Sequence, residues 1–119
     1  MNIDLIKDSL VDNDFIRKTF YYEEIDSTNE YAKSINEADI LVIADFQSAG
    51  KGRFGRNWES ERGANITFTI KKRFDIDIEN IQYVNYFFTY YTLIGIQDYI
   101  SENNKDFRNN DLALIWPND

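Results

Sequence analysis

The sequence predicts an α+β fold, a mixed, largely antiparallel sheet with helices packed on it. Three observations predict it. Short β-prone runs alternate with helix-spaced stretches in the order strand, helix, strand, loop, strand, helix, strand. Residues 40–46 are apolar over a length that suits a buried strand, and residues 66–70 switch to a period of two. No internal repeat or low-complexity tract breaks this order, and the single Pro stands near the end of the sequence, at position 117. With 119 residues the chain is expected to form one domain with a core of its own.

Each element has its own signal. "NIDLIKDSL" opens with weak helical spacing and reads as a short surface helix. "KTFYYEEI", residues 18–25, is aromatic and β-prone, which predicts a strand. In "DSTNEYAKSIN", Ser27 and Glu30 fit the S-x-x-E capping box, with Tyr31 and Ala32 inside the helix that it opens. "ILVIADF", residues 40–46, predicts a buried strand, and a glycine-rich loop follows it directly. "ANITFTIKKR" sets Ile66, Phe68 and Ile70 against Thr67 and Thr69, the period of a half-buried strand. From Ile81 to Glu102 there is no Pro, and Ile81, Val84, Phe88, Tyr91, Gly95 and Tyr99 fall on three- and four-residue steps, which predicts a buried helix. "LALIW", residues 112–116, predicts a last strand.

Composition excludes several kinds of chemistry. The net charge of -8 sets the chain as a whole against DNA, RNA and anionic membrane. The absence of Cys rules out disulfides and thiolate metal sites. The absence of His removes the commonest general base, and with it serine–histidine or cysteine–histidine catalysis within this chain. The first twenty residues lack a basic-then-apolar layout, and no apolar run approaches the ~20 residues of a membrane helix. A cytoplasmic location is the expectation.

Against this acidic background, "QSAGKGRFGRNWES" stands out. Residues 51–73 hold Lys51, Arg53, Arg56, Arg62, Lys71, Lys72 and Arg73 against only Glu59 and Glu61, a local charge of +5. A cationic patch on an acidic chain points to a small polyanion. Gly50, Gly52 and Gly55 can take positive φ and let backbone N–H groups line an anion-binding concavity. Arg53 and Arg56 can converge on phosphate oxygens with forked hydrogen bonds, and Trp58 offers a face for a purine. The text is neither a P-loop nor a strand–GxGxxG–helix unit. On the residues alone, a solvated surface loop and a phosphate-binding loop between two strands both stay open.

The larger pattern is specific. "DSTN", then Q-x-x-G-K-G-R-x-G-R-x-W-x-S, then "GAN" and "WPND", in this order and spacing, resemble the catalytic domain of biotin protein ligases over roughly residues 20–119. The Arg-Arg plus Gly-Gly-Gly signature of the neighbouring lipoate ligases is absent, which favours biotin. The resemblance implies a biotin/lipoate-ligase-like catalytic fold and a two-step reaction. Biotin and ATP first form biotinyl-5′-AMP with Mg²⁺; the biotinyl group then passes to a lysine of a carboxylase's biotin carboxyl carrier domain. The nucleophiles belong to the substrates, which suits a chain without His or Cys.

Carried over by position, Ser27, Thr28, Asn29 and Gln47 match residues around biotin. Gly50, Lys51, Gly52 and Arg53 match the loop over biotinyl-adenylate, with Arg53 and Lys51 in the catalytic positions. Arg56 matches a phosphate contact, Trp58 the aromatic beside adenine, Asn118 a nucleotide contact and Asp119 a metal contact. The family usually has Arg at position 51 and Lys at position 115, where this chain has Lys51 and Ile115. It also continues past "WPND" through further strands and a small barrel-like domain, and some members carry an N-terminal helix-turn-helix domain. The chain is therefore expected to be the N-terminal part of a catalytic domain, lacking both flanking domains and poor at adenylation alone. An open apolar sheet edge and self-association, such as a homodimer, are expected with it. The competing expectation is a non-catalytic remnant serving as a ligand-binding or dimerisation module.

Overall fold

A computed structural model describes residues 2–11, 14–59, 61–103 and 112, with the backbone alone at Arg53. The chain divides into two compact units, Met1–Phe74 and Asp75–Asp119. The first contains helix α1 (Ile3–Ser9), strand β1 (Lys18–Tyr22), helix α2 (Thr28–Ser34), strand β2 (Ile40–Ala44), a 3₁₀ turn at Arg53–Gly55 and strand β3 (Thr67–Lys71).

The sheet is mixed, in the order β1-β2-β3. β1 and β2 run parallel, with Lys18 opposite Ile40 and Tyr22 opposite Ala44. β2 and β3 run antiparallel, with Leu41 opposite Ile70 and Ile43 opposite Phe68. β2 is buried along its whole length because it has a strand on each side and a helix on each face. On one face Leu41 and Ile43 join Ile16, with Ile3, Ile6 and Leu10 of the α1 region packed on them. On the other, Ile40 and Val42 join Ala32 of α2, with Phe20, Tyr22 and Tyr31 around them. The predicted α+β class and the helix-on-sheet packing are thus both present.

The period of two predicted for β3 holds, but its threonine side is the more buried. Thr67 and Thr69 are half-buried, on the face that α2 covers, while Ile66, Phe68 and Ile70 are 73%, 51% and 36% exposed. α1 is only seven residues long, and its Ile3 and Ile6 side chains go to Ile16, Leu41 and Ile43. The apolar side of β3 therefore remains open to solvent among the described residues, at an edge of the sheet.

Asp39, with φ 60, makes the turn into β2. Its carbonyl accepts from the Arg17 N–H at 2.7 Å, and its carboxylate lies 3.0 Å from the Lys72 ammonium. Lys72 also donates to the Phe15 carbonyl at 3.0 Å. The Lys72 ammonium holds the Asp39 carboxyl below the usual carboxylate range, and Arg17 adds to the effect. Asp45 is lowered in the same way by the Tyr21 hydroxyl, which donates to it at 2.5 Å. The unfolded chain binds these protons more tightly, so their stabilisation is full above the ordinary carboxylate pKa of about 4 and is lost as pH falls through the lower folded values. Asn tolerates positive φ, so Asp39→Asn isolates the charge. Denaturant titrations should show a lower midpoint at pH 7 and a smaller drop between pH 7 and pH 3 than in the parent chain.

In the second unit a 3₁₀ turn at Ile78–Asn80 leads into helix α3 (Ile81–Asn103). The predicted helix is present; its predicted burial is not, since none of its described residues is buried. Tyr83, Tyr86, Phe87, Tyr90, Tyr91, Ile96 and Tyr99 are all exposed. They lie all around the helix, so the three- and four-residue steps do not isolate one apolar stripe. The strand expected at 112–116 lies outside the described residues apart from Leu112. No described helix is long and apolar enough to cross a membrane.

Candidate functional site

The site grows from the ends of two parallel strands. Beyond β1 and β2 the ladder continues without regular strand geometry: the Asp45 N–H donates to Tyr22 O at 3.1 Å, Ile25 N–H to Phe46 O at 3.1 Å and Ser48 N–H to Ile25 O at 2.9 Å. This pairing holds Ile25 beside Gln47, so the cap of α2 and the start of the cationic loop meet although about twenty residues separate them in sequence.

The predicted capping box is half realised. The Ser27 hydroxyl accepts from the Glu30 N–H at 3.3 Å, but the Glu30 carboxylate turns to Lys33 at 3.0 Å. Ser27 and Thr28 are buried at 6% and 2% exposure, whereas Asn29 is exposed. Gln47 Oε1 accepts twice from Thr28, from its N–H at 2.8 Å and its hydroxyl at 2.9 Å. A backbone donor there requires oxygen, so the Gln47 amide is oriented with Nε2 turned the other way. Since the Thr28 proton goes to Gln47, the 2.9 Å contact between the Thr28 and Thr69 hydroxyls has Thr69 as donor. Thr69 is the member of this cluster that the sequence left unassigned. Its signal was the threonine side of the alternating strand.

Gln47 Nε2 faces Gly50. A methyl group on Gly50 would lie 3.0 Å from Gln47 Nε2 and 3.0 Å from Trp58 O, and one on Gly52 would lie 3.3 Å from Arg56 O. These two glycines are needed for close approach; the positive φ expected of all three is found only at Gly55, at 74°. Residues 50–58 fold back as a narrow hairpin. The Gly52 N–H donates to Arg56 O at 2.7 Å, the Trp58 N–H donates to Gly50 O at 2.8 Å, and Lys51 bridges to Asn57. Phe54 (φ 58) and Gly55 form the tip. This internal bonding argues against the reading of a merely flexible surface loop. Gly50→Ala should push the hairpin away from Gln47 at a cost of roughly 1 kcal/mol. A lower thermal midpoint and weakened ligand affinity would check it.

Gly52, Arg56, Asn57 and Trp58 line a cavity of about 360 Å³ in the hairpin. Trp58 is 60% exposed and presents its ring to solvent. Lys51 is exposed and close enough to Glu30 to help Lys33 hold that carboxyl below its ordinary range. The structure therefore joins Ser27, Thr28, Gln47, Gly50 and Trp58 in one cluster of contacts, with Lys51, Gly52 and Arg56 on the hairpin. Arg53 has its backbone in the 3₁₀ turn, and its side chain lies outside the described residues. So do Asn118, Asp119 and Ile115. Among the described residues no three acidic or other metal-ligating side chains gather to hold a cation. A larger hollow of about 540 Å³ opens between α1 and β1. Two of its lining cations are engaged by acids, Arg17 with Asp39 at 3.6 Å and Lys18 with Glu37 at 3.0 Å.

In a comparison with known protein families, the model of the biotin/lipoate A/B protein ligase family matches residues 21–119.

Proposed function

The chain belongs to the biotin/lipoate A/B protein ligase family, and from that premise we propose that its site activates biotin with ATP and passes it to a lysine of a biotin carboxyl carrier domain. The observation that carries this reading is the contact chain from Thr28 through Gln47 and Gly50 to Trp58. It puts an oriented amide and buried hydroxyls at the foot of a cationic hairpin. A ureido ring needs one donor at its carbonyl and acceptors at its N–H groups, and the Gln47 Nε2 and the Ser27 and Thr28 hydroxyls supply both kinds. The missing Arg-Arg plus Gly-Gly-Gly signature supports biotin over lipoate.

In the first step a biotin carboxylate oxygen attacks the α-phosphorus of ATP, the bond to the bridging oxygen breaks, and pyrophosphate leaves. In the second the carrier lysine amine attacks the acyl carbon and AMP leaves. Lys51, Arg53 and Arg56 are assigned to the charge on the carboxylate and α-phosphate, and Trp58 to the adenine. Lysine keeps the charge at position 51 without the guanidinium fork. The protein's part is positioning and electrostatic stabilisation. Mg²⁺ arrives as the counter-ion of ATP, and no described residue is assigned to it. A cytoplasmic location is proposed with this reading.

The competing reading, a non-catalytic binding or dimerisation module, draws on the exposed Ile66, Phe68 and Ile70. Biotin-dependent exchange of label between pyrophosphate and ATP separates the two. The ligase reading expects exchange that requires biotin; an enzyme that binds biotin yet gives none would leave the module.

A further inference from the structure

We infer that Arg62 is a positioning residue that clasps the outgoing limb of the hairpin to the strand ends beneath it, an assignment that rests on the ligase reading above. Arg62 lies four positions after Trp58 in a turn closed by the Ala64 N–H donating to Glu61 O at 3.2 Å. Gly63, at the third position of that turn, has φ 76, a value that favours glycine. The turn aims the Arg62 side chain back at the sheet. Its Nη2 donates to the Glu24 carboxylate, and its guanidinium sits 4.6 Å from the centre of the Phe46 ring. Arg62 also helps hold the neighbouring Asp45 carboxyl low.

Glu24 and Phe46 belong to the two segments that carry the rest of the site. Glu24 precedes Ile25, and Phe46 precedes Gln47, the pair bridged to each other. One guanidinium therefore ties residue 62 to both arms of the Thr28–Gln47 cluster. The Arg62 and Glu24 side chains are 57% and 52% exposed, so the ion pair by itself contributes little. The planar guanidinium can pair with the carboxylate and cover the ring at once, which an ammonium does less well. Thr28 and Gln47 hold each other independently of this clasp. Its loss should therefore free the hairpin limb, and with it the nucleotide half of the ligand, more than the biotin half.

The test uses the enzyme and two probes: biotin, and a biotinyl-adenylate whose acyl phosphate is replaced by a sulfamoyl linkage. Arg62→Met should weaken the adenylate analogue about 5- to 10-fold while changing biotin affinity less than about twofold. Arg62→Lys should recover part of the loss, and the exchanged pair Glu24→Arg with Arg62→Glu should recover the ionic part alone. Hydrogen exchange of residues 57–59 and 61–66 without ligand should speed up in Arg62→Met and less so in Arg62→Lys. An Arg62→Met enzyme that binds the adenylate analogue like its parent overturns the clasp alone. Equal losses for both probes would mark a merely structural role and overturn it too. A parent enzyme that binds neither probe removes the ligase reading and this assignment together, even if the exchange rates show the tether.

Discussion

Gln47→Leu is expected to destabilise the fold by about 2 kcal/mol and to abolish biotin binding at concentrations that saturate the parent enzyme. The side chain is close in volume, so packing changes little. What is lost is the acceptor shared by the Thr28 N–H and hydroxyl, on a residue only 2% exposed. Buried donors without a partner cost about 1–3 kcal/mol each, and the hydroxyl can turn to another partner while the N–H cannot. Gln47→Glu separates the two roles. Its carboxylate can still accept from Thr28, so stability should stay within about 1 kcal/mol of the parent. The Nε2 donor is gone, and biotin affinity should fall as it does for leucine. Thermal melts and biotin titrations of the two variants check this, and a Gln47→Glu protein with parental affinity would detach Gln47 from the ligand.

Ile40→Ala should be the most damaging conservative change in the sheet. Ile40 is fully buried at the start of β2, between Lys18 of β1 and Lys71 of β3, and packs with Ala32 and Val42. Ile-to-Ala at such sites costs about 2–5 kcal/mol, because the space cannot fully close. The total stability of a small domain is about 5–15 kcal/mol, so a thermal midpoint lowered by roughly 10 °C is expected. Ile66→Ala, at a residue 73% exposed, should change the midpoint by a small fraction of that. Equal effects at the two sites would contradict the placement of the core around β2.

The residues whose signals are local were legible. The S-x-x-E box marks the start of α2 at Ser27 because the cap bond joins residues three apart. The run at 40–44 predicts a buried strand because a strand covered on both faces needs no alternation. What was not legible depends on partners distant in sequence. A period of two gives β3 two faces but not the identity of the inward one; Thr28, 41 residues earlier, meets Thr69 and shows which. Gly50 and Gly52 read as sources of positive φ, but their neighbours are Trp58 and Arg56 after the chain has turned back. Likewise the Arg62 pairing with Glu24 spans 38 positions. In α3 the spacing gave the helix and left its orientation open, because apolar residues surround it. The roles of Thr28, Gln47 and Gly50 are what the resemblance implies, and their adjacency is what the structure adds.

On the proposed reading, the Thr28–Gln47 cluster and the hairpin of residues 50–58 form a single ligand site. The decisive experiment is a nuclear magnetic resonance titration of the enzyme with the sulfamoyl biotinyl-adenylate, following the Thr28 amide, the Gln47 side-chain NH₂ and the amides of residues 50–58. All three should shift together with one dissociation constant, and ATP alone should not move the Gln47 NH₂. Shifts confined to the hairpin, with Thr28 and Gln47 unmoved by the adenylate, would contradict it.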